Sequence, residues 1–302
     1  MSFRSIFTFG YKLLDEFLTS GSVPKKEMYK EALRKLLQFL LDDTDDRPAL
    51  SAGSSKYGSE KNWAFVITQH LLSKLSVTTE FLADSATMKE VNCCPCDRKE
   101  MIPCKTGNTS IGCVKGWQGE LDIVMGMKMP IKVAQTTDNC LFEENVSQSS
   151  ASAEVNKHDF TERDLNQMLA QTILFSFYKG KGLIPCIGLG SSFVKLHFYD
   201  CEKDILLRSN TLNLMLSEEH ESFETVTILM LWLTLNYELL CSGVPDELKN
   251  LKAGFHEELG SFLECYKNTT SPFPVQLNDH EEEKEPTYRG YFDSYKDPDI
   301  VF

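Results

Sequence analysis

Apolar positions recur every three to four residues between Lys25 and Leu41. Met28, Ala32, Leu33, Leu36, Leu37 and Leu40 take one side, and Lys25, Lys26, Lys30, Arg34 and Lys35 take the others. This spacing predicts an amphipathic helix, ended by the run Asp42–Pro48 and followed by a small-residue linker, Ser51–Ser59. A second helix is expected over Glu60–Leu75, carrying Trp63, Val66, Ile67, Leu71 and Leu72. Strands are expected at Val77–Leu82, Glu120–Met125 and Pro130–Gln135, and a helix from Glu162 to Tyr178. Leu183–Leu189 and Phe193–Asp200 flank the turn residues of Gly188–Ser192 and predict a hairpin, with a further strand at Asp204–Arg208. Helices over Glu218–Cys241 and Asp246–Tyr266 complete the pattern.

This order predicts an α+β fold, a small mixed sheet flanked by helices. Residues 1–50 form an N-terminal helical extension, 60–276 the α+β core with C-terminal helices, and 277–302 an acidic tail. The core carries a Cys-rich insertion at 93–113 and a polar, Ser-rich stretch at 138–158 expected as a flexible loop. The longest apolar run, Val226–Leu240, is interrupted by Thr227, Thr234, Asn236 and Glu238 and falls short of a bilayer span, so no membrane partner is expected. The first residues are not read as a secretory leader. An intracellular protein, nuclear or cytoplasmic, with reduced cysteines is the expectation.

Charge narrows the functions. Across 302 residues, 31 Lys+Arg stand against 44 Asp+Glu, a net charge of −13. Such a surface repels a polyanion unless its basic residues cluster. Part of the excess is local: eight acids of the tail face only Lys284, Arg289 and Lys296.

Candidate chemistry lies on two short strands. Asp122 sits in Gly119-Glu120-Leu121-Asp122-Ile123-Val124, and Lys132 in Pro130-Ile131-Lys132-Val133-Ala134-Gln135. The helix that includes Asp164-Leu165-Asn166-Gln167 and Gln171…Tyr178 follows, then the hairpin 183–200. Over roughly residues 60–210 this layout resembles the restriction-endonuclease-like PD-(D/E)XK superfamily, particularly its eukaryotic branches. There an acid sits on one strand of a hairpin and a Glu-X-Lys on the next, followed by a helix with a leading Gln and a further strand pair. The resemblance implies a restriction-endonuclease-like core and a Mg²⁺ site built from carboxylates, with a lysine that orients or deprotonates the attacking water. Asp122 keeps the first acid, and Glu60 on the first helix, or Gln69 as a neutral stand-in, is placed to complete the set. Lys132 stands where the metal-binding Glu belongs and Ala134 where the Lys belongs. Glu120, two residues from Asp122, shares its face if the strand is regular.

The implied function is a PD-(D/E)XK-nuclease-like domain with eroded catalysis, in a nucleic-acid-associated or interaction role. Beside it stand an active Mg²⁺-dependent nuclease using Asp122 and Glu120, and a non-enzymatic adaptor that binds a protein through its grooves and its Tyr-bearing tail. Asp122 and Lys132 also suit a plain cross-strand ion pair. Separately, Cys93, Cys96, Cys104 and Cys113 offer four soft ligands to a tetrahedral zinc ion. The six histidines are scattered, with no pair at helical metal spacing.

Overall fold

The computed structural model describes residues 3–41, 48–50, 56–57, 60–78, 80–84, 94–96, 104–113, 115–126, 128–134, 160–215 and 222–270. The expected loop at 138–158 and the tail at 277–302 lie outside the described residues. Helices α1 (Thr8–Ser20) and α2 (Glu27–Leu41) come first. Helix α3 (Glu60–Ile67) continues as a π turn, Thr68–Leu72, and closes through Ser73–Leu75. Helix α4 (Glu162–Lys179) begins with a capping box in which Thr161 and Asp164 satisfy each other's backbone N–H groups. Helices α5 (Thr225–Leu235) and α6 (Tyr237–Leu240) take up most of the region expected as one helix. The helix expected at Asp246–Tyr266 is instead broken into a 3₁₀ turn at Asp246–Leu248, α7 (Phe255–Leu259), a second 3₁₀ turn and α8 (Leu263–Lys267). Gly254 and Gly260, at φ 81° and 49°, turn the chain where a helix would have to continue.

The strands are β1 (Phe81–Asp84), β2 (Cys104–Gly107), β3 (Ser110–Gly112), β4 (Gln118–Glu120) and β5 (Ile123–Met125). They continue with β6 (Met129–Val133), β7 (Leu183–Leu189), β8 (Phe193–Asp200), β9 (Ile205–Arg208) and β10 (Leu212–Asn213). The main sheet runs β2-β1-β5-β6-β7-β8, with β9 and β10 each paired to β8. The β1–β2 and β6–β7 pairs are parallel and the others antiparallel, so the sheet is mixed and the α+β class holds. β3 and β4 form a separate two-stranded ribbon.

Strands β5, β6 and β7 are buried along their whole length, which requires cover on both faces. Alternation along the strands and the register Lys132↔Gly188↔Lys195 put Lys132, Cys186, Gly188, His197 and Tyr199 on one face. Helix α4 covers that face: a side-chain Cβ at Gly188 would fall 2.7 Å from Met168 Sδ, and Ser176 Oγ donates to the Tyr199 carbonyl at 3.0 Å. The opposite face carries Ile131, Val133, Ile187, Leu196 and Phe198. There the Phe3 and Phe7 rings lie 5.8 and 6.0 Å from that of Phe198.

Residues of the expected N-terminal extension are built into this core. Ile6, Phe7, Leu13, Ala32, Leu33 and Leu36 join one cluster with the sheet and with Trp232 of α5. Asn236 ties α3 to α5, accepting from the Val77 N–H at 2.9 Å and donating to the Leu75 carbonyl at 2.9 Å. No helix among the described residues is long and apolar enough to cross a membrane.

His197 is 2% exposed, and neither ring nitrogen has a hydrogen-bond partner among the described residues. Burial, with Arg208 and Lys195 adding repulsion, lowers its pKa to about 4 from 6.5. As pH falls below 6.5 the unfolded chain takes up a proton that the folded chain refuses until about pH 4. Stability is therefore full above pH 6.5 and falls across that window, by at most about 1.4 kcal/mol per pH unit. The variant His197→Leu should flatten this part of the urea-denaturation pH profile; an unchanged slope would remove His197 as its source.

Candidate functional site

The segment expected as one strand, Glu120–Met125, is broken at Leu121–Asp122. Its first residues pair with β3, where the Leu121 carbonyl accepts from Thr109 Oγ1 at 2.6 Å and the Leu121 N–H donates to the Thr109 carbonyl at 3.2 Å. Its last residues pair with β6. The break separates the two acids. Glu120 ends the ribbon with its side chain exposed, and Asp122 stands in the bend just before β5. The shared face that a regular strand would have given Glu120 and Asp122 is therefore not formed.

Asp122 meets Lys132 instead. The antiparallel register Ile123↔Ile131, carried one residue further, sets 122 opposite 132. Asp122 Oδ2 lies 3.0 Å from Lys132 Nζ and accepts the Val133 N–H at 2.8 Å. The lysine side chain is 6% exposed and the aspartate 24%, so the ammonium is held in a poorly solvated place against its carboxylate. The cross-strand ion pair open to these residues from sequence is the arrangement found.

Around the pair the α4 face is polar but closed. Burial pushes the Cys186 thiol up to about 12, a side-chain hydrogen bond with Thr172 and the nearby Lys132 only partly opposing it. Burial thus favours the neutral thiol of Cys186 over the thiolate. Gln171, fully buried on α4, donates from Nε2 to the Glu120 carbonyl at 3.0 Å, while its Oε1 has no partner among the described residues. Outside the pair a groove of about 700 Å³ opens between β4 and the first turns of α4. Its lining includes Trp117, Gln118, Glu162, Arg163, Asn166 and Gln167. It runs along the strand that leads into Asp122, and Gln167 stands one helical turn before Gln171.

The remaining expected site residues lie elsewhere or outside the described set. Glu60 opens α3, but its side chain is not among those described. Gln69 belongs to the π turn. Cys93 and the side chain of Cys104 are also outside the described residues. Cys113 follows β3 and lies near Cys265, not with Cys96. Cys96 is instead gathered with Cys94 and His70. No histidine, cysteine or acid stands three or four residues from His70 in the sequence, so nothing local marked it.

Compared with known proteins, the chain matches no family model, no curated protein and no solved structure. What the fold defines is its class: a mixed sheet covered by helices, with an ion pair at one end of its central hairpin.

Proposed function

We propose that the chain is a PD-(D/E)XK-nuclease-like domain that does not hydrolyse, an internal ion pair having taken the place of the catalytic metal, and that it works as a nucleic-acid-associated binding module. One observation carries the reading: Lys132 Nζ sits 3.0 Å from Asp122 Oδ2, on the strand position where the family keeps a second carboxylate. A magnesium ion needs several hard oxygens. Asp84 of β1, one residue beyond the pair Ala83↔Ile123, is a neighbouring carboxylate, but the strand position of the family's second metal ligand holds a cation that the chain supplies itself. The sequence of elements supports the reading, since α3, the β5–β6 hairpin, α4 and the β7–β8 hairpin follow one another in the order the resemblance implies. The groove between β4 and α4 supplies Trp117 for stacking, Arg163 (with Glu162 next to it) for phosphate and the amides of Asn166 and Gln167 for hydrogen bonding.

The test reverses the replacement. The wild-type chain should cut neither DNA nor RNA in Mg²⁺ or Mn²⁺, and its Tm should not depend on those ions. The variant Lys132→Glu sets two carboxylates together. It should be destabilised in EDTA and regain about 1 to 3 kcal/mol in millimolar Mn²⁺. Nucleic acid should bind the wild-type chain and weaken steeply with salt. Metal-dependent cutting by the wild-type chain that stops on Asp122→Ala would sink the proposal, as would an absence of nucleic-acid binding at low salt.

A further inference from the structure

We infer that His70, Cys94 and Cys96 form a zinc site that pins residues 94–96 to the π turn at the end of α3. The three ligand atoms all lie within 4.8 Å of one another. His70 Nε2 is 3.2 Å from Cys96 Sγ and 3.5 Å from Cys94 Sγ. Tetrahedral zinc with ordinary Zn–S and Zn–N bonds sets such N···S edges at about 3.6 Å, so the donors already stand close to where a shared ion would hold them.

Hydrogen bonding alone accounts for this less well. Both sulfurs approach the same ring nitrogen, which offers either one lone pair or one proton, whereas a cation at the centre engages all three lone pairs at once. Burial points the same way: His70 and Cys94 are 0% exposed and Cys96 4%. Two thiolates and a neutral imidazole balance the charge of Zn²⁺, so the loaded site brings no net charge into the core, and binding releases the two thiol protons to solvent. The backbone adds an independent sign. His70 is the central residue of the π turn Thr68–Leu72, an irregularity that re-aims side chains and is frequent at functional sites. Thiolate and imidazole donors in a compact shell select zinc over hard cations such as Mg²⁺.

The full chain, purified reduced with zinc present and then desalted, should retain about one zinc per chain by elemental analysis. After metal removal, Co²⁺ should restore a tetrahedral d–d spectrum with a thiolate-to-cobalt charge-transfer band. Chelation should lower the Tm. The variants Cys94→Ser and Cys96→Ser should lose the metal, whereas Cys113→Ser should keep it. If the serine variants fail to fold, the cobalt spectrum of the wild-type chain still decides. A folded, reduced chain with no zinc and no charge-transfer band overturns the site, as does zinc that survives Cys94→Ser but is lost with Cys113→Ser. Neither result bears on the Asp122–Lys132 reading.

Discussion

Replacing Asp122 with alanine is expected to cost about 3 to 5 kcal/mol of folding stability, because it takes the carboxylate away from a buried ammonium. Lys132→Met is expected to cost far less, about 1 kcal/mol or below, since an apolar side chain suits the buried position. Asp122 then keeps the Val133 N–H at 2.8 Å and remains 24% exposed. The double variant should lie near Lys132→Met, far short of the sum of the two single losses, which makes the coupling energy (double loss minus both single losses) large and negative in a double-mutant cycle. Urea denaturation of the four proteins measures it. A cycle in which Lys132→Met costs more than Asp122→Ala would show that the carboxylate, not the ammonium, is the group that needs its partner. The same cycle separates a structural pair from a catalytic one, because catalytic residues can be removed with little loss of stability.

Trp232→Ala should be comparably severe, at about 3 to 5 kcal/mol for emptying a fully buried indole. Trp232 is 0% exposed, and its Nε1–H donates to the Ala32 carbonyl at 2.7 Å, joining α5 to α2 across the core. Trp232→Phe keeps most of the volume and loses the donor, so about 1 to 2 kcal/mol is expected. Truncating α2 should then be no milder than Trp232→Ala, because the N-terminal helices share the core with the sheet. A Trp232→Ala chain with an unchanged urea midpoint would mean that α2 does not pack on α5 as described.

The hairpin 183–200 was legible from sequence to the residue, and α4 nearly so. In both, the signal is local: two apolar runs flank a turn, and a capping Thr161 precedes the helix. The first strand was misplaced, expected at Val77–Leu82 and found at Phe81–Asp84. Helix α1 falls inside the expected helical extension at 1–50 but was given no bounds of its own, because its fully buried side rests on only Gly10 and Leu13. The break before Asp122 was not legible, since Thr109, twelve residues earlier, imposes it through the Leu121 carbonyl.

The candidate site divides in the same way. Asp122 and Lys132 were identifiable as a pair because their strands are adjacent in sequence and antiparallel strands set their ends opposite one another. The loss of Glu120 from the site was not, because it depends on which ribbon claims the residue. His70 and Cys94 were invisible as partners of Cys96, since the helix and the loop that carry them meet only in space.

Local periodicity, caps and turns are short-range properties, and by themselves they determined the α+β class, the hairpin at 183–200 and most of helix α4. Which charges and sulfurs meet was decided by tertiary structure alone. Coulomb and coordination energies depend on separations of a few ångströms inside a poorly solvated core, and residues distant in sequence reach those separations only when the sheet and its helices close over them.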